Sequence, residues 1–166
     1  MKIVKISLIS LAAGLIIIQF FGIKKNQSSG VQTNHISTQF AVPADVENIL
    51  KTSCYDCHSN NTIYPWYTSI QPVGWWLQGH VNEGKEELNF DEFAQYKPRR
   101  QFKKIEEVEE MINEGEMPLS SYTLIHSNAV LSSSQKEILI NWTKLIRGEI
   151  KVKSPGSAPA EVEHED

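Results

Sequence analysis

The sequence predicts an all-α domain standing behind an N-terminal membrane-spanning helix. Three observations predict it. Residues 6–23 (ISLISLAAGLIIIQFFGI) carry no charge, and only Ser7, Ser10 and Gln19 are polar; about 20 apolar residues span a bilayer as a helix. Four later segments repeat apolar residues at the helical period. No segment alternates apolar and polar residues over the length of a strand.

The N-terminal run is flanked by Lys2 and Lys5 before it and by Lys24 and Lys25 after it. The small residues that a cleavage site needs are missing there, and Phe20 and Phe21 stand in their place. Residues 1–25 are therefore expected to be an uncleaved signal-anchor. Lysines at both ends leave the positive-inside rule undecided, and the signal-like start favours export. The expectation is a single pass through the inner membrane with the folded part in the periplasm, or a secreted or periplasmic protein if the segment is cleaved.

Residues 26–40 are rich in Ser, Gln, Asn and Thr without periodicity, which reads as a linker. Residues 151–166 (KVKSPGSAPAEVEHED) read as a disordered polar tail. The folded domain is then residues 41–150, and a chain of 166 residues has room for one such core rather than two.

Each helix has its own signals. The first starts at Pro43 with Asp45 and Glu47 in its first turns, buries Val46, Ile49 and Leu50, and runs into Cys54. The second covers 73–87, with Trp76, His80 and Val81 roughly on one side. The third covers 102–114, with Phe102, Ile105, Val108, Met111 and Ile112 on one face and Gly115 placed as its C-terminal cap. The fourth begins at a capping box read at Ser134 to Glu137. Its face is Ile138, Leu139, Trp142, Leu145, Ile146 and Ile150.

Formal net charge is −4, but four of the 16 basic residues lie in the first 25 positions, where there is no acid. The remainder sets 12 basic against 20 acidic residues. Such a surface excludes a nucleic-acid partner, because phosphate binding needs a basic patch. It suits a basic protein partner.

The chemistry concentrates in SCYDCHSNN, which holds both cysteines of the chain, Cys54 and Cys57, with His58 directly after. A disulfide across so short a loop would stabilise little. A thioredoxin-like pair needs a βαβ context, and the strands are missing. A structural zinc site needs four ligands, and no second pair stands at finger-like spacing. Two thiols at this spacing can form thioethers to the two vinyl groups of one haem, with the next histidine beneath the iron. One covalent haem c held by Cys54, Cys57 and His58 is the reading that uses all three residues.

From that motif on, the chain resembles a class I c-type cytochrome: a helix before the haem motif, a last helix packed across the first, and a methionine loop between. More narrowly, CYDCHSNNTIYPWY, WWLQGHVNEGK, LNFDEF and GEMPLSSY resemble a bacterial haem-binding domain family of membrane-anchored monohaem proteins. The resemblance implies a helical domain wrapped around one haem, with Met117 of Gly115-Glu116-Met117-Pro118 as distal ligand. His80 is the rival ligand. Met111 reads as core, and His35 and His126 as bystanders. Tyr64, Trp66, Tyr67, Trp75 and Trp76 are expected to wrap one haem edge.

The function expected is single-electron transfer between redox protein partners, not enzymatic catalysis, because no nucleophile, base and orienting group converge. The alternative is a haem sensor or peroxidase-like protein with an open or displaceable sixth position.

Overall fold

The computed structural model describes residues 1–157. Among them the regular structure is helical, and no strand forms. The α-helices are α1 (Lys2–Ile18), α2 (Ala44–Ser53), α3 (Tyr55–His58), α4 (Val73–Glu87), α5 (Pro98–Glu114), α6 (Ser120–Thr123) and α7 (Ser133–Lys153). Short 3-10 turns lie at Ile36–Thr38, Trp66–Ser69, Phe90–Gln95 and Ser127–Ala129.

Helix ends follow local chemistry. Pro43 caps α2, and its carbonyl accepts the first intrahelical bond from Glu47 at 2.9 Å. Helix α5 starts four residues earlier than its apolar pattern, because Pro98 sits at the first helical position, where its missing N–H costs nothing. Gly115 ends α5 in the left-handed region at φ 76°. Helix α7 is capped by Ser132, not by Ser134: its hydroxyl accepts from Gln135 N at 3.2 Å, and Gln135 Oε1 accepts from Ser132 N at 2.9 Å.

The core lies where α2, α5 and α7 meet. Val46, Ile49 and Leu50 of α2 pack with Phe102, Ile105 and Ile112 of α5 and with Leu139, Trp142, Ile146 and Ile150 of α7. Phe90 and Phe93 enter from the 3-10 turn. Trp142 Nε1 donates to Ala41 O at 3.0 Å, which ties α7 across the start of α2. Arg147 adds ion pairs to Glu106 and Glu109 at 3.0 and 2.7 Å, so α7 is also fastened to α5. Leu145 keeps the helical period but is 68 % exposed, on the outer face.

The all-α expectation holds in the described residues; the membrane-spanning helix does not. Helix α1 has 17 residues, about 26 Å at 1.5 Å per residue, against a hydrocarbon core of about 30 Å. No helix among the described residues is long and apolar enough to cross a membrane. The single-pass anchor and the inner-membrane placement are corrected accordingly. Just past the end of α1, Gln19 is tied to the domain: Gln71 N donates to its Oε1 at 2.9 Å, and its Nε2 donates to Gln71 O at 3.0 Å. Phe21 O then accepts from Trp75 Nε1 at 2.8 Å. Residues 19–23 of the apolar run thus leave the helix for the domain.

Residues 26–40, expected as a linker, are also corrected. Ile36 and Phe40 are buried in the core, and Asn26 Nδ2 donates to Ser59 O and Thr62 Oγ1, both at 2.9 Å. Two apolar anchors in a polar stretch suffice to dock it. The expected tail begins inside α7, which runs to Lys153; residues 158–166 lie outside the described residues.

Candidate functional site

The geometry of Cys54 to His58 follows from two helix boundaries. Helix α2 ends with Cys54 N donating to Leu50 O at 2.9 Å. Cys54 leaves helical geometry, and its carbonyl then accepts from Cys57 N at 3.1 Å and His58 N at 3.0 Å. Tyr55–His58 form a single turn, α3, with Cys54 as its N-cap and both thiols free and partly buried.

The two residues between the cysteines fix that turn on either side. Tyr55 points into the core against Phe90 and donates to Glu47 Oε2 at 2.9 Å. Asp56 Oδ1 accepts from Ile63 N at 3.0 Å, and Asp56 Oδ2 accepts from Tyr122 Oη at 2.8 Å. Asp56 therefore ties the cysteine turn to α6, just beyond the methionine loop. From the other side α4 lies flush on the turn: a Cβ at Gly84 would come within 2.8 Å of Cys57 O.

His58 Nδ1 lies 3.0 Å from Leu88 O. A carbonyl only accepts, so Nδ1 carries the proton and Nε2 keeps its lone pair. Burial pushes the His58 pKa below its ordinary value and outweighs the bond to Leu88. The ring is held neutral, oriented and ready to ligate a metal through Nε2.

Cys54, Cys57, His58 and Met117 all line one cavity of about 340 Å³. A second, of about 330 Å³, is lined by Cys54, His58 and Met117 with Phe90, Val108, Met111 and Leu131. The two share Ser53, Glu87 and Pro118 as well, so they are neighbouring parts of one largely apolar slot. Each falls within the ~300–1,000 Å³ usual for cofactor sites. Met117 is presented by the end of α5: N–H groups of Glu116 and Met117 both reach Met111 O, at 3.0 and 3.2 Å.

The rival His80 lines the first cavity too, together with a small third one of about 60 Å³ beside Cys57. It packs edge-on to Trp76 and lies 3.6 Å from Glu83. His126 stacks on Tyr122, and His35 bonds Ser37 and Tyr55. Met111, read as core, lines the second cavity. The aromatic cluster divides. Tyr67 and Trp76 line the third cavity, Trp66 is 78 % exposed, Trp75 bonds Phe21, and Tyr64 bonds Asn26 and Gln78.

Burial pushes the Cys54 thiol up to about 12 and the Cys57 thiol up to about 11, with neighbouring negative charge adding to it. Neither is the low-pKa thiolate that thiol redox switches use. In haem-free protein at pH 8, alkylation of both by iodoacetamide is expected to run roughly 100-fold or more below that of a free cysteine, as the thiolate fraction dictates. The rate should climb as pH approaches 11; fast labelling at pH 8 would contradict the burial.

The helical domain thus holds two thiols and a neutral histidine around one largely apolar slot of the size cofactor sites have. The haem-binding domain family model matches residues 13–145, and the chain belongs to that family. Its cofactor is haem. No curated protein and no solved structure matches the chain. The residues present fit the group: the slot is apolar, the thiols are free, and His58 has an uncommitted Nε2.

Proposed function

We propose that Cys54 and Cys57 bond one haem covalently, that His58 is its proximal ligand and Met117 its distal ligand, and that the protein carries single electrons. The observation that carries this reading is the His58–Leu88 bond, which aims a neutral imidazole nitrogen from the cysteine turn into a cavity that Met117 also lines. Each thiol adds across one vinyl C=C, sulfur to one carbon and hydrogen to the other, so the attachment itself consumes no oxidant. Bound haem supplies a one-electron couple at its iron.

The chain's own residues do the rest. Leu88 holds the His58 ring in one tautomer. Gly84 and Asp56 clamp the cysteine turn from two sides. Gly115 and Met111 fix the loop that offers a soft thioether. The apolar walls would exclude water, and Met117 would hold the iron on its distal side and so keep small molecules from it. No catalytic role is assigned, and the partner is a redox protein, with a basic surface to match the acidic domain.

A haem sensor or peroxidase-like role stays as the second reading, because His80 lines the same cavity as Met117. A redox titration of haem-loaded protein followed by visible absorption separates them. The carrier gives a single one-electron transition and no carbon monoxide adduct in the reduced state. Prompt carbon monoxide binding by untreated reduced protein overturns the carrier in favour of the sensor.

A further inference from the structure

Among the described residues, Lys104 is the one lysine or arginine that lines any of these three cavities. Nothing in the sequence sets it apart: it sits in α5 beside Lys103, among glutamates. Yet its side chain is only 14 % exposed, whereas that of Lys103 is 72 % exposed. Lys104 Nζ lies 2.8 Å from Glu87 Oε2 and 2.7 Å from Glu107 Oε2.

An ammonium has three N–H donors. Two are taken by these carboxylates, and among the described residues no third acceptor is bonded to it. Burial works to lower the Lys104 pKa, and the hydrogen bonds from Glu107 and Glu87 outweigh it, so the group stays charged. A haem brings two propionate carboxylates into a slot whose walls are apolar and otherwise acidic, with Glu83 and Glu87 on the first cavity and Glu107 on the second. Buried anions need a cation or donors.

Building on the haem reading above, we propose that Lys104 is the haem-anchoring cation: its ammonium, which lines the slot, donates to one propionate in place of Glu87, and its charge raises the potential of the bound haem. Glu107, 33 % exposed, is the partner that stays and positions the ammonium. Glu87, 74 % exposed, is the partner that returns to water when the propionate arrives. An exposed carboxylate loses little in that exchange.

The test uses full-length, haem-loaded protein with Lys104→Gln, Lys104→Arg and, as a charge control, Lys103→Gln. Resonance Raman reads the propionate-bending band, redox titration reads the midpoint potential, and haem staining of a denaturing gel reads covalent attachment. Lys104→Gln is expected to keep full staining, shift the propionate band and lower the potential. Lys104→Arg restores both, and Lys103→Gln leaves the band in place. Should Lys104→Gln fail to fold, Glu87→Gln serves instead, with the potential expected to rise as a competing anion is removed. A propionate band unmoved in Lys104→Gln, or moved equally by Lys103→Gln, overturns the role of Lys104 while staining keeps the haem reading intact. Wild-type protein that does not stain defeats the haem c reading itself.

Discussion

Protein carrying Cys54→Ala with Cys57→Ala loses haem staining on a denaturing gel completely, and each single variant stains more weakly than wild type. Covalent and non-covalent attachment differ in which bonds survive unfolding. The axial bonds assigned to His58 and Met117 depend on helix ends held by Leu88, Gly115 and Met111, and detergent dissolves those. Thioethers are covalent and persist. Wild-type stain that persists undiminished in the double variant would mean that the group is held some other way. Both cysteines are free, and burial raises their pKa values, which works against thiol-switch chemistry.

The second large effect is at Met117. In Met117→Ala the weak absorption band near the red end, which arises from sulfur-to-iron charge transfer, disappears. Carbon monoxide binding to the reduced protein changes from absent to prompt, and the potential falls, since an axial methionine favours reduced iron. His80→Ala leaves all three as in wild type. The converse pattern, with the band insensitive to Met117 and carbon monoxide binding opened by His80→Ala, would give the distal position to His80. Geometry favours Met117, because it lines both parts of the slot together with His58, whereas His80 lines only the first and is engaged with Trp76.

How far the sequence reaches follows from which features are local. The four helical periods and the Gly115 stop are local, and each forms where the pattern places it, within four residues at the start of α5 and at the Ser132 cap. Cys54, Cys57, His58 and Met117 are marked by spacing and by Gly and Pro, and all four reach one cavity. The Asp56–Tyr122 bond spans 66 positions and leaves no mark in either neighbourhood. Gly84 looks like a helix-weakening glycine, and its reason, the close approach of Cys57, exists only after α3 and α4 pack. Lys104 carries no signal beyond a lysine pair. Residues 26–40 look free because polarity dominates the stretch, yet buried Ile36 and Phe40, with Asn26 bonded to Ser59 and Thr62, anchor it. The apolar N-terminus has the composition of a bilayer span, yet α1 holds only 17 residues, and the residue after it, Gln19, is bonded to Gln71, a contact 52 positions away that leaves no mark in the sequence.

All of these expectations descend from one covalent claim, and the intact mass of full-length protein matured in a host competent for haem attachment tests it most directly. The account predicts the mass of the chain plus one haem, unchanged by denaturation and reduced to the bare chain in the double cysteine variant. Colourless protein at the mass of the bare chain from the same host would contradict it.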